Sequence, residues 1–481
     1  MKQIVLIVFL FVSFLLKAQP PSKFYSTYGG NGYDVGYSVK QTLDGGYIIA
    51  GSTSSFGQGN TDFYLLKLDS LGQKKFETSF GGYSNEIAKS VIQLSDSSFV
   101  IAGYTSSFGI GGYDIFVVKA DKNGNLIWQK TFGGNDWDFA YNIELTSDGG
   151  FIICGTTYSF GYGNADGYII KTDGAGNVTW TKTFGGKHDD EFKSVIQTSD
   201  GNYALTGYTK SFNDSLGDAW IFKIDLNGDS IWSYSYGGNK EDFGNQVIEK
   251  GTDYFIVGAT ASVGAGMLDA CAYKINSLGG LINMIYDGTS SNDEIYNSIT
   301  VSKRNSVDYL CFIEREYFPG FKLQTKVIEY DNYLNYKNAT DYGSSSIDET
   351  YQIVSTKDKG YAIVGYTQGY NAVLTDLYFV KIDSTLNGGN YSIVSVDELQ
   401  DESILANIFP NPSSGEINIK SIKKIDIKDI HLFDLLGNEI LTKEKFLIQD
   451  NNTIKLILNE LESGLYYLKL FDFSQQISII H

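Results

Sequence analysis

Short runs of alternating apolar and polar residues, separated by glycine-rich turns, fill the chain from Phe24 onward. In FAYNIELT, GFIICGTT, DGYIIKTD and NVTWTKTF the β-branched and aromatic residues fit strands better than helices. A turn signal separates each run from the next: Asp148-Gly149-Gly150, the loop SFGYGNAD, and Asp173-Gly174-Ala175-Gly176. This set of four recurs. The pairs Gly29-Gly30, Gly81-Gly82, Gly133-Gly134, Gly185-Gly186 and Gly237-Gly238 lie 52 residues apart each time. Tyr286-Asp287-Gly288 and Tyr342-Gly343-Ser344 are degraded copies.

Four strands in a repeat of this length predict one antiparallel blade, and seven repeats predict an all-β, seven-bladed β-propeller over residues 19–395. The last repeat runs out after Asp383 without a fourth strand, while Phe24–Tyr28 reads as a fourth strand with nothing before it. The N-terminal strand is therefore expected to close the ring, which removes exposed sheet edges.

Polar positions repeat as well. Asp69/Gly72, Asp121/Gly124, Asp173/Gly176 and Asp225/Gly228 suit hairpins ending on a left-handed glycine. Lys67/Asp69 and its counterparts place a lysine and an aspartate two apart, where they share a strand face and can pair. A device present in most blades reads as architecture, since a catalytic site is needed once. Five residues before the first-strand Val or Ile stands an acid in all seven repeats: Asp34, Glu86, Asp138, Asp190, Asp242, Glu294 and Asp348. Strand parity puts these acids on one face with small residues such as Gly36 and Ser38, near a mouth of the central channel. Two readings stay open for them. They brace the Gly-Gly turns by accepting N–H bonds, or they form a channel-mouth ring that attracts a cation.

Composition narrows the partners. A formal charge of −19 argues against nucleic acid and anionic membranes. Cys154, Cys271 and Cys311 sit in apolar runs without CxxC spacing and read as core residues. His188, the sole histidine before the C-terminal region, has no second histidine or cysteine near it in sequence, so no metal site is expected there. No cofactor is expected. Calcium is the one candidate ion, at Asp225–Ser230, although the regular ligand spacing of a calcium loop is absent. The Phe56, Phe108, Phe160 and Phe212 series falls on the same face as the interblade turns and is expected to pack blades together.

The sixth repeat departs from the others. IEREYFPGFKLQTK places Glu314, Arg315, Glu316, Tyr317 and Phe318 where other repeats are short and polar, and Arg304 precedes it. Aromatics mixed with charge are what a carbohydrate-binding site presents. The first functional expectation is a noncatalytic propeller that binds a glycan or protein. The alternative is a polysaccharide hydrolase or lyase using carboxylates and tyrosines of this blade.

The ends of the chain carry signals of their own. Lys2, an apolar run from Ile4 to Leu16, and Lys17-Ala18-Gln19 read as a cleaved signal peptide over residues 1–18, with no membrane-spanning segment afterwards. After an acidic linker at 396–407, strands alternate in the manner of a small Ig-like β-sandwich over 408–481. Pro410-Asn411-Pro412 with Gly415, the turn ending at Gly437, and Ser463-Gly464-Leu465-Tyr466-Tyr467 resemble the C-terminal (Por) sorting domain of type IX secretion cargo in Bacteroidetes. The 52-residue units are similar to propeller repeats found on such cargo. The resemblance implies export by the type IX machinery acting on residues 408–481, and a secreted or outer-membrane surface-attached product.

Overall fold

The computed structural model describes residues 23–212, 216–318, 322–344, 346–370, 372–386 and 392–393, and, beyond them, 406–409, 416–421, 430–433, 440, 446–450, 453–458, 461, 464–470 and 473–479. No helix occurs among them. The chain divides into two compact units at Val394/Ser395.

The first unit is a seven-bladed propeller. Six blades are four-stranded antiparallel sheets in sequence order, the first made of Asp34–Gln41, Tyr47–Thr53, Asp62–Leu68 and Lys74–Phe80. The seventh takes Asp348–Ser355, Tyr361–Thr367 and Asp376–Ile382, then Phe24–Tyr28 antiparallel to the last of these. The N-terminal strand thus closes the ring, as the missing fourth strand of the last repeat predicts. Ser392–Ile393 adds a short parallel strand outside it. Each innermost strand contacts the innermost strands of both neighbours, so seven strands surround one axis.

Hydrophobic positions explain this arrangement. Second and third strands are buried on both faces, as in YIIAGST and DFYLLKL, because blades stack against them from either side. Fourth strands lie outermost and alternate, as in VTWTKTF. The cores lie between blades: Phe63, Leu65 and Ile48 of blade one pack with Val91, Ile101 and Phe116 of blade two. Cys154, Cys271 and Cys311 are buried thiols within such layers.

The hairpin glycines are left-handed as the sequence predicts, with φ of 82° at Gly72 and 85° at Gly124. The lysine pairing differs from expectation. Lys67, Lys171 and Lys381 are 3–6% exposed and reach Asp44, Asp148 and Asp358 at 3.1, 2.9 and 2.8 Å. Those aspartates sit in the turn of the inner hairpin, which folds over the end of the third strand. Asp69, the expected partner, accepts Leu71 and Gln73 N–H bonds in its own turn instead.

In the second unit Ala406–Phe409, Glu416–Ser421, Thr453–Ile457 and Phe446–Asp450 form one sheet, and Ile430–Phe433, Gly464–Leu470 and Phe473–Ile479 another. Of the motif residues predicted there, Pro410, Asn411, Pro412, Gly415 and Gly437 lie outside the described residues, while Gly464 opens a strand.

Candidate binding site at the channel and its mouth

The seven repeated acids are 0–1% exposed. Each lies beneath an interblade turn and accepts its backbone N–H. Gly82 donates to Glu86 at 2.8 Å, Gly134 to Asp138 at 2.8 Å, Gly186 to Asp190 at 2.8 Å and Gly238 to Asp242 at 3.0 Å. Gly30 does the same to Asp34, and the degraded junctions keep the bond through Thr289 to Glu294 and Ser344 to Asp348. Hydroxyls complete the set: Thr105 donates to Glu86, and Ser159, Ser211 and Ser262 donate to Asp138, Asp190 and Asp242. A second buried aspartate faces the first across the glycine. A Cβ on Gly81 would lie 2.1 Å from Asp62 and 2.3 Å from Glu86, so only glycine fits between the two carboxylates. Burial, with Asp138 close by, pushes Asp114 up to about 6; burial likewise pushes Asp166 up to about 6.

His188 is exposed, and its backbone N–H donates to Ser211 at 3.1 Å. Among the described residues no group of three or more His, Cys, Asp or Glu is placed to hold a metal ion. In the loop considered for calcium, Asp225 accepts the Asn227 and Asp229 N–H groups, both at 2.8 Å.

The channel lining depends on a device that strand parity does not reveal. Every innermost strand carries a β-bulge, at Tyr37, Lys89, Tyr141, Lys193, Asn245, Asn297 and Tyr351. A bulge adds a residue and re-aims its side chain. These side chains line a cavity of about 480 Å³ on the axis, within the range of ligand sites. The next residue turns toward the neighbouring blade. Val91 N–H donates to Ser38, Asn142 to Ser90, Val195 N–H to Asn142, and Val247 N–H to Ser194. Ile299 N–H donates to Gln246, Ile353 N–H to Ser298, and Ser38 to Gln352, so hydrogen bonds bridge all seven junctions.

Opposite the bulge six of the seven blades carry a glycine. A Cβ at Gly51 or Gly155 would lie 1.8 Å from a backbone carbonyl of the facing strand. The sixth blade has Glu314 at this position. GxT in six blades is replaced there by Glu314-Arg315-Glu316, a signal present in the sequence but visible only once the bulge is known. Glu314 is 2% exposed, turned inward 3.5 Å from Lys326, and burial pushes its carboxyl up to about 8. Glu316, on the same strand face, accepts a bond from Asn292 at 3.0 Å. Arg315, on the opposite face of the strand, pairs with Glu349 of blade seven at 2.6 Å. The side chains of Tyr317 and Phe318 lie outside the described residues. Arg304 is elsewhere: it pairs with buried Glu329 and covers the Tyr309 ring at 4.0 Å.

At the Gly-Gly end of the channel, aromatic rings gather on blades two and three. Tyr104, Tyr113, Trp137, Phe139 and Tyr158 form one mutually contacting cluster, with Trp137 49% and Tyr158 42% exposed. Blades six and seven carry the Arg315–Glu349 pair, and Tyr366 donates to Glu349 at 3.0 Å. Phe56, Phe108, Phe160 and Phe212 occupy the same face, each packed on its own blade's third strand, as Phe56 on Tyr64 at 5.8 Å. The tips of Phe56, Phe108 and Phe160 also lean on the interblade glycines Gly30, Gly82 and Gly134.

Residues 407–479 match the family described as the secretion system C-terminal sorting domain. The C-terminal module is a type IX sorting domain. A chain carrying this domain is secreted or attached at the outer membrane through type IX secretion. The propeller has similarities of lower order. The regulatory protein FlaEY of Caulobacter vibrioides is 25% identical over 220 residues, 38% of this chain and 23% of that protein, so the chain spans under a quarter of its length. The WD40 domain of Neurospora crassa Pan2 superposes with a TM-score of 0.46 at 9% identity, covering 75% of this chain and 96% of that one. A Bacteroides caccae protein of unknown function gives 0.34 at 10% identity, covering 55% and 94%.

Proposed function

We propose that the protein is a noncatalytic, exported propeller that binds a glycan at the channel mouth on the Gly-Gly face. The carrying observation is the Tyr104–Tyr113–Trp137–Phe139–Tyr158 cluster, which leaves two large rings half exposed on the Gly-Gly face. Aromatic faces take the apolar faces of sugar rings, and nearby charged and amide groups bond hydroxyls. Arg315 belongs to this mouth, while Glu314 and Glu316 support the blade beneath it. The seven turn acids are braces in this reading and hold the mouth in place without contacting ligand.

The polysaccharide-cleaving alternative needs two carboxylates about 5–10 Å apart around an open cleft. Glu314 is sealed beside Lys326 and shares a strand face with Glu316, an arrangement that gives this alternative no support. We also assign residues 1–18 to a cleaved signal peptide, 19–395 to the binding unit, 396–407 to a linker, and 408–481 to recognition by the type IX machinery. A glycan array probed with the mature chain tests the binding reading. Retention of intact sugar, lost in Trp137→Ala, supports it; absence of any retained glycan overturns it.

A further inference from the structure

One lysine of the channel lining lacks an ion-pair partner, while the lining carboxylate Glu249 accepts bonds from Ser199. Lys40 pairs with Glu144 at 3.7 Å, Lys193 with Glu191 at 2.8 Å, and Arg315 with Glu349 at 2.6 Å. Lys89 has no carboxylate within 4.0 Å among the described residues; its amine lies over the Tyr37 ring, 3.5 Å from the centroid. This occurs in a chain of net charge −19, where an acid to pair with it would be easily found. The bulge fixes Lys89 on the axis, flanked by Tyr37 and Tyr141, with Lys193 and Tyr351 on the same ring. Desolvation, then the charge of Lys193, pulls the Lys89 amine down to about 7, while Glu349 acts in the opposite direction.

We infer that the channel accepts a single carboxylate at Lys89, and that this carboxylate belongs to a uronic acid residue of the bound glycan. One unmatched cation suits a monoanion. The surrounding tyrosine rings suit the apolar faces of a pyranose, and the Asn245 and Asn297 amide oxygens, whose NH2 groups donate to Tyr296 O and Thr350 O, can accept from its hydroxyls. The uronate assignment rests on the glycan reading of the mouth. The carboxylate site itself does not.

The test uses the mature chain and three probes: D-glucuronate, D-glucose and acetate. Binding is measured by calorimetry at pH 6 and pH 8.5, and the Lys89 amine is followed by NMR after reductive ¹³C-methylation. Glucuronate is expected to bind roughly tenfold tighter than glucose at pH 6. That preference shrinks at pH 8.5 as Lys89 loses its proton, disappears in Lys89→Met and returns in Lys89→Arg. Bound glucuronate and acetate both move the Lys89 titration upward. If acetate moves Lys89 while neither sugar binds, the carboxylate site stands and the glycan reading falls with the uronate assignment. If the sugars bind but Lys89 responds to none of the probes, the glycan reading stands and this inference is overturned. A glucuronate preference that persists in Lys89→Met also overturns it.

Discussion

Replacing Asp190 with alanine tests whether the repeated acids act as turn braces. The carboxylate is 0% exposed and accepts Gly186 N–H at 2.8 Å, the Ser211 hydroxyl at 2.6 Å, Ser211 N–H at 3.3 Å and the Thr209 hydroxyl. Removing it leaves these donors facing a cavity. Each buried unsatisfied donor costs about 1–3 kcal/mol. The values do not add fully, since both hydroxyls can rotate and the carboxylate's own desolvation is relieved. A net loss of about 3–5 kcal/mol follows. For a domain of this size each kcal/mol moves Tm by about 1–2 °C, so scanning calorimetry should show a drop of roughly 3–10 °C. His188→Ala in the same loop is the control, expected within about 0.5 kcal/mol of the parent because the side chain is exposed. Addition of EDTA separates the two roles considered for these acids. A Tm unchanged by chelator in the parent, with the full drop in Asp190→Ala, fits a brace. Equal drops on chelation and on mutation, or no difference between Asp190→Ala and His188→Ala, would refute the reasoning.

Other outcomes follow from the same geometry. Asp114 and Asp166 are raised to about 6, so their protonated forms favour the folded state; that stability is full below the ordinary carboxylate range and fades as pH rises through 6. Tm measured from pH 5 to 7 should therefore fall less steeply in the Asp114→Asn/Asp166→Asn double variant than in the parent. Glu314 extends the effect upward: with its carboxyl near 8, the parent should lose further Tm between pH 7 and 9, and Glu314→Gln should flatten that limb. Lys171→Met removes the bond to Thr172 O at 2.8 Å and the Asp148 pair, whose acid is largely solvent-facing. An unfolding free energy in urea lower by about 1–2 kcal/mol is expected. Gly81→Ala inserts a methyl between two buried carboxylates and should cost about 1–3 kcal/mol by the same assay.

Period and alternation carry most of the fold into the sequence. Fifty-two-residue spacing, four strand-like runs, an orphan strand at the start of the array and a missing one at its end suffice for seven blades and a closed ring. The channel lining is less legible. Strict parity groups Gly36 and Ser38 toward the axis, whereas the bulge inserts Tyr37 there and turns Ser38 to the next blade. Nothing in DVGYSVKQ marks that extra residue except the glycine opposite it, Gly51, which has no room for a Cβ. The Lys67–Asp44 pair is hidden for a related reason: the partner lies 23 residues back, brought near only by the inner hairpin. Glu314 looks like a site residue among aromatics, yet it occupies the bulge-facing position and is sealed there. The cluster around Trp137 is not legible in the sequence because its five members come from five separate strands and loops.

The most direct test of the account is a glycan array with product analysis, run on the mature chain and on Trp137→Ala at matched Tm. The account predicts that glycans are retained uncleaved by the parent and weakened by roughly tenfold or more in the variant. Cleaved products, or retention that Trp137→Ala leaves unchanged, would contradict it.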